Sequence, residues 1–76
     1  MMPLKIGGKY KHYKGHLVKV IGEGRHSETR EWMVIYEKLE DGDGYKKGDV
    51  WVRPKEMFLE DVRKEGKTFP RFELIG

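Results

Sequence analysis

The sequence predicts a mainly β fold: a small SH3-like barrel or a rolled antiparallel sheet with one short helical turn. Three observations carry that expectation. Runs at 16–21, 32–39 and 50–53 are short and rich in β-branched and aromatic residues, the composition of strands. Glycine-bearing stretches separate them, among them Gly22-Glu23-Gly24 and the 40–48 segment, in a chain holding 10 glycines. Helix-start chemistry occurs at one place only, Pro54 with Glu56 in the turn that follows.

Taken in order, residues 1–8 read as a flexible lead-in ending at Gly7-Gly8. From Lys9 the pattern alternates in part, with Tyr10 and His12 on one side, until Gly15 breaks it. In 16–21, Val18 and Val20 share one face while Leu17, Lys19 and Ile21 share the other; Gly22-Glu23-Gly24 then ends the strand or bends it at a bulge. Residues 25–31 are polar throughout and form a surface loop. Trp32 to Leu39 is the strongest strand, apolar on both faces and therefore central in its sheet. Three glycines and mixed charge make 40–48 a turn or open loop. In Val50-Trp51-Val52-Arg53 the valines read as architecture, and Trp51 with Arg53 as the opposite, functional face. Phe58 and Val62, four residues apart, are placed to dock on the core, and the turn either persists to Arg63 or relaxes into a strand before Glu65-Gly66-Lys67. Pro70 argues against a central strand there, and Phe72 and Leu74 alternate as a last short strand.

Seventy-six residues make a single domain, 1–76. Such a chain buries only about 60% of its unfolded surface, so its core is small. Without cysteine there are no disulfides, thiolate metal sites or cysteine nucleophile. No apolar run has signal-peptide or membrane-spanning length, so the expectation is a cytoplasmic protein with no membrane contact. The formal charge of +3 is unevenly spread. Lys5, Lys9, Lys11, Lys14 and Lys19 fall in the first twenty residues with no acid among them, and the remainder is slightly acidic. That segment reads either as an anion-facing patch or as a solvated edge that discourages strand aggregation.

Catalysis has one candidate, the Arg25-His26-Ser27-Glu28-Thr29 loop. A serine nucleophile needs a base and an orienting acid converging from separate elements. Adjacent residues of one loop do not usually converge, and Ser27 and Thr29 hydroxyls can bond nearby backbone instead. The expectation is a non-enzyme. His12 and His16 have helical metal-ligand spacing, but Gly15 and the β-branched run after it argue against a helix. Asp41-Gly42-Asp43-Gly44 opens like a calcium loop and fails at Tyr45 and Lys46. Gly22-Glu23-Gly24 lacks the third glycine and the helix of a phosphate loop. No cofactor and no metal are expected.

Five ordered blocks carry a resemblance: His12-Tyr13-Lys14-Gly15, Arg25-His26-Ser27-Glu28-Thr29, Val34-Ile35-Tyr36, Trp51-Val52-Arg53-Pro54 with Met57-Phe58, and Pro70-Arg71-Phe72-Glu73. In these the chain resembles a family of small bacterial domains of unknown function, over residues 7 to 73. It departs from that family mainly in the 40–48 loop, which is longer and more charged. The resemblance implies a bacterial single domain and supplies no activity.

Two binding readings follow. In the first, a protein or peptide partner lies along Tyr10, Tyr13 and Trp51 with Arg53 pairing a carboxylate. In the second, the early lysines hold RNA phosphates while exposed aromatics stack on bases. The candidate binding residues are Tyr10, His12, Tyr13, Arg25, His26, Trp51, Arg53 and Arg71. Each aromatic has a structural alternative as scaffold, and Arg53 and Arg71 as members of internal ion pairs. The sequence sets no oligomeric state.

Overall fold

A computed structural model describes residues 4–76. Its strands are β1 (Lys9–His12), β2 (Leu17–Arg25), β3 (Trp32–Lys38) and β4 (Val50–Pro54), then the helical turn α1 (Lys55–Leu59), then β5 (Asp61–Lys64), β6 (Lys67–Pro70) and β7 (Phe72–Leu74). Five of them form one antiparallel sheet in the order β4-β3-β2-β1-β7, and β5-β6 is a separate hairpin. The sheet has two free ends in that order, so the molecule is the rolled sheet rather than a closed barrel. β3 is central, as its two apolar faces predict.

Register assigns the faces. Tyr10 pairs Val18, His12 pairs Phe72, and Val20 pairs Tyr36, so these side chains share the inner, concave face. Tyr10, Val18, Val20, Val34, Tyr36 and Phe72 are buried there, and α1 adds Phe58 from above. Phe58 stacks on Phe72 with ring centroids 4.1 Å apart and meets Tyr10 edge-on at 5.3 Å. A buried phenylalanine contributes about 1.5–3 kcal/mol through apolar burial alone, so this five-residue helix is held by its one buried side chain rather than by its own hydrogen bonds.

β2 carries a bulge. Val20 pairs Tyr36 and Gly22 pairs Ile35, leaving Ile21 without a partner. The extra residue bends the strand and strengthens its twist, which helps the sheet curl over Phe58. The strand continues past the glycines to Arg25, so Gly22-Glu23-Gly24 bends it rather than ends it.

Four expectations are corrected. Residues 4–8 are not loose: Gly7 N–H donates to Val20 O at 2.7 Å, Val20 N–H donates to Gly8 O at 2.9 Å, and Leu4 packs on the core. Residues 1–3 of the expected lead-in lie outside the described residues. Val62 is not on the helix but in β5, opposite Phe69. Of the two alternatives for the segment before Glu65, the strand is the one formed, but its return strand β6 was not expected, because the hairpin offers only Val62 and Phe69 as half-buried residues. Its turn, Glu65-Gly66, has positive φ at both positions (53° and 75°), as in a type I′ turn. Finally, the faces of β4 are reversed. Val50 and Val52 are each 58% exposed on the convex side, while Trp51 and Arg53 face inward. The reason is the roll: β4 is an edge strand, and its inner face closes an open mouth instead of a sealed core.

Candidate functional site

On β3 the concave series Val34, Tyr36 continues to Lys38, and pleating buries the lysine as it buries its neighbours. Lys38 is 7% exposed. Its Nζ lies 4.2 Å from the centroid of Tyr45, 4.8 Å from Trp51 and 5.7 Å from Tyr36. Trp51 arrives by direct cross-strand pairing with Tyr36. Tyr45 is brought back by its own loop, where Gly42 and Tyr45 bridge and Gly44 takes φ of 82°. Asp49 Oδ2 accepts Lys46 N–H, and Asp41 Oδ1 accepts Lys47 N–H, which spends both carboxylates on shaping that loop. An ammonium over aromatic faces is attracted by their quadrupoles. Burial, and then the nearby Arg53 cation, hold the Lys38 amine below its ordinary pKa.

The positive cluster continues inward. Arg53 lies 5.5 Å over the Phe72 ring. His12 meets Phe72 edge-on at 4.9 Å and stacks on His16 at 5.5 Å, and His16 in turn meets Tyr45 at 5.4 Å. Burial lowers the His12 pKa to about 4, helped by His16, Arg53, Arg71 and Lys14. Arg71 donates to Glu60 at 2.7 Å while its buried Nε has no partner. The ion pairs among the described residues are Arg71–Glu60 and Lys55–Glu23. Lys38 and Arg53 are in neither. Basic groups thus crowd together, Arg53 lowers the pKa of both His12 and Lys38, and among the described residues Glu60 is the cluster's single paired carboxylate. Such a constellation suits an anion beside a planar or apolar group.

A sequence profile described as "Protein of unknown function (DUF1653)" matches residues 8–74. The chain belongs to the DUF1653 family. It is similar to a crystal structure of a DUF1653 protein from Bordetella bronchiseptica, with 30% identity and a TM-score of 0.79 over 95% of this chain and 88% of that one. No curated protein matches it.

Within this DUF1653 domain the structure gathers His12, Trp51, Arg53 and Arg71 around the positive cluster. Tyr10 is instead a core residue, 4% exposed, its hydroxyl accepting Lys5 N–H at 3.1 Å. Tyr13 packs on Phe69 at 5.6 Å beside the cluster. Arg25 and His26 lie at the β2-β3 turn. There Arg25 covers Trp32 at 4.5 Å and donates to Arg30 O, and His26 Nδ1 accepts the N–H groups of Glu28 and Thr29. Both shape the turn, and Thr29 Oγ1 likewise accepts Glu31 N–H.

Sequence reading of this DUF1653 chain missed Lys38, Tyr45 and His16. Period-2 alternation from Val34 through Tyr36 does point to Lys38, but a lysine at a strand end ordinarily reads as solvated. Nothing local places Tyr45.

Two other surfaces of the domain compare poorly. A depression of about 670 Å³ is lined by Glu31, Trp32, Lys55, Glu56, Leu59 and Glu60, and its one lysine is already paired with Glu23. On the convex face, Lys19 and Lys11 stand in register with Glu37 and Glu73, with Lys9 opposite Lys19. These early lysines therefore form a mixed-charge face opposite Trp51. Among the described residues no trio of histidine and carboxylates is placed to hold a metal, and no helix is long and apolar enough to cross a membrane.

Proposed function

We propose that this chain is a non-enzymatic binding module of the bacterial cytoplasm whose concave mouth takes an acidic segment of a protein partner. One observation carries the reading: Lys38 is buried among Tyr36, Tyr45 and Trp51 with no carboxylate to pair it among the described residues. Burying an unpaired cation costs stability, and a partner's carboxylate returns that cost on binding. Arg53 adds a fork suited to a carboxylate, and Trp51 a rigid apolar wall.

RNA binding has less support. It asks the early lysines and the aromatics to contact one strand, and Lys9, Lys11 and Lys19 lie on the face away from Trp51.

The test is titration of the chain with acidic, neutral and basic peptides of equal length, followed by tryptophan fluorescence or calorimetry. Acidic peptides bind, and Lys38→Met or Arg53→Gln weakens them about tenfold or more, the worth of one charge-assisted hydrogen bond. Lys38→Met keeps or raises thermal stability, because an apolar side chain of similar length replaces a buried charge. Equal binding of all three peptide classes, or preference for single-stranded RNA, overturns the reading.

A further inference from the structure

We infer that the outer edge of β4 receives the partner as an added β-strand, so that the acidic segment binds extended, alternating acidic with β-branched side chains. This rests on the concave-mouth reading above and names how the partner is held.

Hydrogen-bond parity along β3 decides which backbone groups of β4 face outward. Lys38 N–H donates to Asp49 O at 2.9 Å, toward the β4 side, whereas Leu39 N–H donates to Leu17 O at 3.0 Å, toward β2. In an antiparallel ladder the directions alternate residue by residue. Tyr36 and Val34 therefore bond to their partners Trp51 and Arg53. That turns the backbone groups of Val50 and Val52 away from the sheet. Pro54 fits the same parity, since it falls at a position whose N–H is not needed by β3.

Among the described residues, no backbone or side-chain group bonds to the outward N–H and C=O of Val50 and Val52. Val50 and Val52 are 58% exposed and Trp51 42% exposed, so the edge is uncovered. An open, apolar edge of this kind is normally blunted by charge, bulges or a covering element, because it pairs readily with other chains.

Parity also selects the occupant's chemistry. A strand added here hydrogen-bonds at Val50 and Val52. Its residues opposite Trp51 and Arg53 form the non-hydrogen-bonded pairs, where side chains approach closest. Those residues point into the concave mouth, where an acid opposite Arg53 meets the unpaired cations. The alternate residues lie beside Val50 and Val52 on the convex face, which favours valine or isoleucine. Backbone bonds then give affinity and alternating side chains give selectivity.

The probe is an acetylated, amidated hexapeptide alternating valine and glutamate, in unmodified form and with N-methyl groups on one or the other set of alternate residues. One methylated form loses binding about tenfold or more while the other keeps it, and Val52→Pro in the protein reproduces the loss. Circular dichroism and a urea midpoint verify that Val52→Pro folds; the methylated peptides leave the protein untouched in any case. If both methylated forms bind like the parent while Lys38→Met or Arg53→Gln still abolishes binding, strand addition is overturned and the concave mouth stands. If the unmodified peptide does not bind at all, both fall. A concentration-dependent dimer that Val52→Pro dissociates makes a second copy the occupant and overturns the peptide.

Discussion

At the scale of the residue, His12 and Lys38 show what it takes to keep cations together. His12 is neutral in the folded chain at pH 7, its pKa held near 4 by burial and by the surrounding positive charge, with Nδ1 also accepting Lys14 N–H at 3.1 Å. An unfolded imidazole titrates near 6.5. Between these values the unfolded chain holds the extra proton, so stability falls as pH falls from about 6.5 to about 4 and levels off below. The contribution is about 1–2 kcal/mol once solvent screening of a half-buried ring is allowed for. His12→Asn keeps an acceptor for Lys14 N–H and removes the titration. Urea midpoints at pH 7, 5.5 and 4 are expected to converge relative to the parent chain, and parallel curves would refute the assignment. His12 was legible as a site residue from its strand face, but its coupling to Arg53 and Arg71 was not. That coupling depends on a roll that brings β7 over against β4.

At the scale of the element, alternation was a sound guide to which residues share a face and a poor guide to which face is inside. Val18 and Val20 were placed together and are buried together. Trp51 and Arg53 were placed together too, yet they point inward while Val50 and Val52 face solvent. Edge position decides this, and edge position is a property of the sheet, not of the strand. The β5-β6 hairpin was legible only as an alternative for its first strand and not at all for its second, since Asp61, Arg63, Lys64, Lys67 and Thr68 give it no apolar period. Turn geometry holds it, with Glu65 taking the positive φ that suits asparagine or glycine better. Glu65→Asn is expected to raise stability by about 0.5–1 kcal/mol, read from urea midpoints. A loss would mean that the Glu65 side chain makes a contribution beyond the turn.

At the scale of the whole molecule, the fold class was legible and the closure was not. Short β-branched runs and glycine punctuation announce a small rolled sheet, but whether β4 and β7 meet to seal a barrel depends on accumulated curvature, which no single run encodes. One source of that curvature is the bulge at Ile21. Because Val20–Tyr36 and Gly22–Ile35 are consecutive pairs with Ile21 merely spliced between them, deleting this 44%-exposed residue removes no pairing and little core. Pairing and shape are thus written by different residues: one can be excised to leave the ladder's addresses intact while the surface they describe flattens. A chain lacking Ile21 is expected to retain the Val20–Tyr36 and Glu23–Val34 cross-strand NMR contacts while Arg53 loses its place over Phe72. If the Arg53–Phe72 contact persists, the bend originates elsewhere in the sheet. Loss of that contact makes a single insertion into an otherwise regular hairpin all that separates a flat, featureless sheet from one with a mouth, a short route by which a binding site can be gained or lost.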